Sequence, residues 1–202
     1  MNIVFDLDGT LSCCKKRIYN LFDYLVKDSE ISYESYWTLK FANLTNQEIL
    51  KRYFRYSQQQ TDTFTKEWMN LIESPLFIAY DSLFDDVEGF LKSITKKANL
   101  YVCTARQSKN GTLEQLGSFG ILPFFKGVLV TEQKKTKTEL IVENIKDISS
   151  IDWIIGDTGH DIETGKKLGI NTCAVLSGIM NQYNIEHYKP TKVVNKVTNF
   201  KL

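Results

Sequence analysis

Asp6 and Asp8 stand two residues apart, directly after the apolar run Ile3-Val4-Phe5 and directly before Gly9 and Thr10. The apolar run reads as a short strand buried on both faces. Side chains two apart on an extended chain point to the same side, so the two carboxylates face one place. A carboxylate can attack phosphorus and form an aspartyl-phosphate. The leaving alkoxide then needs a proton, and the water that cleaves the intermediate must lose one. A second carboxylate close by can do both. Asp6 is therefore the candidate nucleophile and Asp8 the candidate general acid/base. Gly9 allows the sharp turn and close backbone approach that such a loop requires.

A second acidic stretch, Gly156-Asp157-Thr158-Gly159-His160-Asp161, lies far along the chain. Four carboxylates in one cleft disfavour ionisation unless a cation compensates. The fitting partner is a hard divalent ion with oxygen ligands, best Mg²⁺. Its candidate ligands are Asp6, Asp157, Asp161 and the backbone carbonyl of Asp8. The Thr104 hydroxyl and neighbouring backbone N–H groups, that of Ala105 included, would hold phosphoryl oxygens. A lysine from the cluster Lys134, Lys135 and Lys137 would neutralise developing charge.

These residues need a frame that gathers them. Apolar stretches at 100–103, 127–130, 151–155, 172–176 and 192–194 read as further strands. Helical patterns lie between them: one face built from Phe84, Val87, Phe90, Leu91 and Ile94, then segments 112–119, 138–146 and 161–168, the last capped by Gly169. Such alternation implies βαβ units and a mainly parallel sheet. Ligands bind such a sheet beyond the carboxyl ends of its strands, and Asp6, Thr104, the lysines and Asp157 all follow strands.

Residues 15–75 have a different texture. They contain no glycine and one proline, Pro75, and they are rich in aromatics. Tyr33, Tyr36, Trp37, Lys40 and Phe41 fall at helical spacing, as do Ile49, Leu50, Tyr53 and Phe54, and Phe64, Trp68, Leu71 and Ile72. Several packed amphipathic helices are expected, with Pro75 ending the segment. The expected organisation is a Rossmann-like three-layer α/β core of residues 1–13 and 78–202, with an all-helical domain of residues 14–77 inserted.

The chain has 202 residues, with 25 Lys+Arg against 24 Asp+Glu and a formal net charge of +1. That balance argues against non-specific nucleic-acid binding, which needs a basic face. The four cysteines, Cys13, Cys14, Cys103 and Cys173, make no CxxC pair and read as free thiols of a reducing compartment. Two histidines make a His-based zinc site a poor expectation. Acidic residues stand where a signal peptide would need apolar ones, and no apolar run reaches membrane-spanning length. A cytoplasmic protein with no membrane, nucleic-acid or obligate protein partner is the expectation.

DLDGT, VCTAR, a lysine and GDTGHD, in that order, resemble the four-motif signature of the haloacid dehalogenase superfamily. The likeness is to its helically capped, phosphoglycolate phosphatase and β-phosphoglucomutase-like branch. It covers Met1 to Phe5 and roughly residues 80–202 as the core, with the segment between as a cap. The resemblance implies Mg²⁺-dependent phosphoryl transfer on a small phosphorylated metabolite. It puts Asp6 as nucleophile, Asp8 as acid/base, Thr104 and a lysine on the phosphate, Asp157 on the metal, and Asp161 on the metal or just behind it. Lys137 stands before a helix, where the family's lysine usually stands. The stretch departs from the proline-containing context frequent among phosphoglycolate phosphatases.

Rival readings differ in the fate of the aspartyl-phosphate. A phosphosugar mutase would pass it to another sugar hydroxyl. A receiver-like signalling switch would keep it, but receivers are shorter and lack a helical insertion after the first strand. A dehalogenase has no need of the acid that Asp8 supplies. His160 reads as a loop residue near the site, Cys13 and Cys14 as small residues at the entry to the insertion. Arg106 has two equal readings, a phosphate contact or a pair with a carboxylate of the inserted segment.

Overall fold

A computed structural model describes every residue except Asp28. The chain divides into two units, one of Met1–Cys13 and Ser82–Leu202, the other of Cys14–Asp81. Its elements in order are β1 (Asn2–Phe5), β2 (Ser12–Cys13), α1 (Lys15–Leu25), α2 (Tyr33–Phe41), α3 (Asn46–Tyr53), α4 (Gln58–Leu71), α5 (Pro75–Ile78), β3 (Ser82–Leu83), α6 (Val87–Ile94), β4 (Asn99–Thr104), α7 (Lys109–Ser118), β5 (Gly127–Val130), α8 (Lys137–Asn144), β6 (Trp153–Gly156), α9 (Gly159–Leu168), β7 (Asn171–Val175), α10 (Gln182–Glu186) and β8 (Lys192–Val194).

In the first unit, described residues of six strands form one sheet in the order β5-β4-β1-β6-β7-β8, and every pairing is parallel. Phe5 lies opposite both Val102 and Ile155, so β1 runs between β4 and β6. Strand order reverses there, and the crevice at such a reversal is where open α/β sheets bind ligands. Both faces of the sheet are covered. Ile3, Phe5, Val102 and Ile155 pack with Val87 and Leu91 of α6 and Leu116 of α7. Val4, Cys103 and Ile154 face the other way, against Ile141 and Ile145 beside α8. Ala174 meets Ile162 of α9 and Ile185 of α10. The alternation along one strand thus feeds two apolar layers, giving the Rossmann-like three-layer α/β core.

Local signals set the element ends. The α7 helix starts at Lys109, earlier than the apolar pattern suggested, because Ser108 Oγ accepts from the N–H of Gly111, 3.0 Å away. The Thr136–Glu139 capping box opens α8. Gly169 closes α9 in the left-handed region, at φ +68°. Because α9 begins at Gly159, His160 sits in its first turn and is exposed, not in a loop.

Helices make up the second unit among its described residues. Tyr36, Trp37, Ile49, Leu50 and Phe64 are buried, whereas Tyr53 is 57 % exposed. The Phe22 ring lies 4.8 Å from that of Tyr36 and 5.9 Å from that of Phe64, which ties α1 to α2 and α4. The Tyr36 hydroxyl donates to Asn46 Oδ1 at 2.7 Å. Pro75 does not end the helical segment. Ser74 is extended, as a residue before proline should be, but Pro75 itself is the first residue of α5, where its missing N–H costs nothing. Among the described residues, none of the four cysteines is in a disulfide. No described helix is long and apolar enough to cross a membrane.

Candidate active site

Asp6 directly follows β1, and its N–H still donates to Ile155 O at 2.8 Å, so the strand ladder fixes its backbone. Asp157 directly follows β6, and Asp161 lies in the first turn of α9. One carboxylate oxygen from each of the three lies within 4.8 Å of the others, and all three residues are buried. Lys137, at the first position of α8, reaches into this group. Its Nζ is 2.6 Å from Asp6 Oδ1 and 2.6 Å from Asp161 Oδ1. A cation at a helix N-terminus opposes the helix dipole, so local helix energetics do not account for a lysine there.

Each carboxylate has a second anchor. Asp161 Oδ2 closes the α9 capping box, accepting from the Thr158 hydroxyl at 2.7 Å and the Thr158 N–H at 3.2 Å. Asp157 Oδ2 accepts from the N–H of Ile179 at 2.8 Å. Gly9 and Gly178 pack against Asp157 so closely that a Cβ on either would collide with its carboxylate. Gly9 also needs φ +85°, a conformation side chains resist. Ser177 Oγ donates to Gly9 O at 2.8 Å, joining the loop after β7 to the loop after β1.

Burial raises the proton affinity of this cluster. It pushes the Asp6 carboxyl up to about 7, with Lys137 opposing the rise and Asp161 and Asp8 adding to it. Burial raises Asp157 as well, and Asp6 and Asp161 add to that shift. At Lys137 burial works against the charge, yet Asp161 and Asp6 outweigh it and hold the ammonium above its ordinary range. Three buried carboxylates around one ammonium leave negative charge that burial makes costly. A divalent cation taking oxygen ligands fits this donor set.

Asp8 is not among these three carboxylates and has its own partner. Arg106 Nε donates to Asp8 Oδ2 at 2.8 Å, and a terminal nitrogen of the same guanidinium donates to Oδ1 at 2.6 Å. Thr104 ends β4 and is buried, while the adjacent Ala105 is exposed. The remaining lysines turn elsewhere: Lys135 Nζ is 2.6 Å from Glu143, and Lys134, 77 % exposed, is 4.0 Å from Glu132.

Sequence reasoning passed over Ser177, Gly178 and Ile179. A signal was present, because Gly178, like Gly9, follows within a few residues of a strand end. Arg106 was noticed, but its partner lies 98 residues earlier and no spacing rule connects them.

No curated protein matches the sequence. Solved structures do resemble this one. A haloacid dehalogenase-like family hydrolase from Streptococcus pneumoniae aligns with TM-score 0.79 at 22% identity, covering 97% of this chain and 94% of the other. A predicted phosphatase from Clostridium acetobutylicum gives 0.74 at 17% identity, with the same coverage of 97% and 94%. A predicted phosphoglycolate phosphatase from Haemophilus somnus gives 0.74 at 16% identity, covering 98% and 94%. At these identities the likeness concerns the fold. The family model for haloacid dehalogenase-like hydrolases matches residues 3–175, most of the chain and all of the residues gathered at the strand ends up to β7. The chain belongs to the haloacid dehalogenase-like hydrolase family.

Proposed function

We propose that this hydrolase is a Mg²⁺-dependent phosphatase acting on a small phosphomonoester through an aspartyl-phosphate on Asp6. The observation that carries the reading is the convergence of Asp6, Asp157 and Asp161 around Lys137 Nζ, with a second carboxylate, Asp8, two residues from the first.

Asp6 attacks phosphorus, a bond forms to its carboxylate oxygen, and the phosphorus–oxygen bond to the leaving group breaks. Asp8 gives that oxygen its proton. Asp8 then takes a proton from water as the water attacks phosphorus, and the bond to Asp6 breaks. Lys137 carries positive charge next to the nucleophile through both steps. Thr104 and the Ala105 N–H are assigned to phosphoryl oxygens. Asp6, Asp157, Asp161 and the Asp8 carbonyl would hold Mg²⁺. When bound it supplies charge neutralisation of the phosphoryl group and of the carboxylates around it. The helical unit is assigned as the cap that selects the leaving group and excludes water.

Steady-state hydrolysis of p-nitrophenyl phosphate with Mg²⁺ tests the reading. Repeated turnover is expected, with loss of at least about 10³-fold in Asp6→Asn, as for removal of a nucleophile. Acid-quenched wild type should carry phosphate on Asp6. Full turnover by Asp6→Asn, or a single phosphorylation without hydrolysis, would overturn it.

A further inference from the structure

We infer that Arg106 is a positioning residue that fixes the Asp8 carboxylate for its two proton transfers; the inference rests on the role given to Asp8 above. Asp8 follows a strand by three residues, on a loop that turns at Gly9, and nothing in the β1 ladder fixes its side chain. The fork of Arg106 does. Two nitrogens of one rigid plane meet the two oxygens of one carboxylate, which sets distance, direction and rotation at once. The partners are unequally exposed: the guanidinium side chain is 3% exposed and the carboxylate side chain 24%. The arginine is thus the buried member of the pair, and the carboxylate is the more exposed one.

The arginine's own backbone is held in turn. Its carbonyl accepts from the N–H of Glu132 at 3.0 Å and from the Thr131 hydroxyl at 3.4 Å. Gln133 Nε2 donates to the adjacent Ala105 carbonyl at 2.7 Å. Glu132 and Gln133 achieve this in consecutive left-handed conformations, at φ 48° and 57°, which residues with side chains adopt only when other contacts enforce them. The loop after β5 therefore grips the loop after β4, and that loop grips the acid/base on the loop after β1. A buried structural ion pair would need neither the exposure of Asp8 nor two strained residues behind the arginine. A phosphate-binding arginine would direct the same two nitrogens at substrate, and here Asp8 holds them.

The test is a series of aryl phosphates, from p-nitrophenyl to phenyl phosphate, hydrolysed by wild type, Arg106→Gln, Arg106→Lys, Asp8→Ala and the double variant Arg106→Gln/Asp8→Ala. A misplaced acid costs most where the leaving group most needs a proton. Arg106→Gln should lower kcat by about 10²-fold on phenyl phosphate, the scale of an ångström-sized displacement of a reacting group, and by less on p-nitrophenyl phosphate. KM should change by less than about threefold, because no substrate contact is lost. Arg106→Lys should recover part of the loss. In the Asp8→Ala background Arg106→Gln should cost less than about twofold, because there is no longer a carboxylate to place. If Arg106→Gln does not fold, Arg106→Lys in the two backgrounds makes the same comparison. A raised KM with unchanged kcat, or losses that multiply independently in the double variant, would overturn the positioning role alone. A wild type inactive on every ester would overturn the phosphatase reading, and this inference with it.

Discussion

In the helical unit Arg17 and Asp81 are buried together, their side chains 4% and 0% exposed, with Nε 3.1 Å from Oδ1. In the α/β unit three buried carboxylates share the ammonium of Lys137. Both arrangements remove charge from water, and both incur its desolvation cost. The difference is the balance of signs. Arg17 sits in the first helix of its unit and Asp81 is the last residue of that unit, so a matched pair links the two ends of the inserted chain. Matched burial of that kind is what a fold needs. The surplus of acid around Lys137 serves no packing purpose. It is the arrangement that the proposed cation and nucleophile would require. An imbalance of buried charge separates the working unit from the supporting one better than burial alone.

Asp6→Asn should break the comparison most sharply, because it separates activity from stability. Turnover should fall by at least about 10³-fold. Metal-free stability should stay level or rise, since one of three mutually repelling buried carboxylates becomes neutral. A melting curve run beside the assay decides it; a large loss of stability would mean that the carboxylate supports the fold.

The helical unit should respond in the opposite sense. Arg17→Ala removes the cation 3.1 Å from the buried Asp81 carboxylate and should cost about 3–5 kcal/mol of stability. The paired change Arg17→Met with Asp81→Leu should restore most of it. Denaturant unfolding would measure both, and an undisturbed single variant would show that the pair carries no structural role.

Metal and pH sharpen the contrast further. Burial pushes the Asp6 carboxyl up from its ordinary 3.8 to about 7, and Asp157 shifts the same way. A raised carboxylate binds its proton more tightly when folded, so without metal these groups favour the fold increasingly as pH falls from about 7 towards 4, and oppose it above. Mg²⁺ needs the ionised carboxylates and must displace those protons. The rise in melting temperature on adding Mg²⁺ should therefore be larger at pH 8 than at pH 5. Parallel melts with Mg²⁺ or with a chelator would show it, and a shift independent of pH would place the cation elsewhere.

The smallest effect belongs to the helix ends of the inserted unit. Ser57 Oγ accepts from the Gln60 N–H at 3.3 Å, and Gln60 Oε1 accepts from the Ser57 N–H at 2.9 Å. Ser57→Ala should cost about 1 kcal/mol, visible as a lower unfolding midpoint.

Much of this molecule can be read from local pattern. Ile3-Val4-Phe5 is apolar without alternation because β1 is covered on both faces. Gly169 and the Thr136–Glu139 pair mark helix ends because capping is chemistry within a few residues. Where local signals conflict, legibility drops. Gly111 and Gly117 dilute the pattern of α7 and hide its first turn, and Pro75 ends one kind of pattern while starting α5. The helical unit runs on to Asp81, beyond residue 77, for the same reason.

The amino-acid order by itself determined the strand–helix alternation, the placement of acidic groups after strands, and the two-residue spacing of Asp6 and Asp8, because each depends only on neighbours along the chain and on the periods of helix and strand. The tertiary structure alone decided that Arg106 grips Asp8 and that the Ile179 N–H supports Asp157. Those outcomes depend on the directions of side chains and N–H groups on separate strands, and parallel strands joined through helices bring together residues that no spacing along the chain connects.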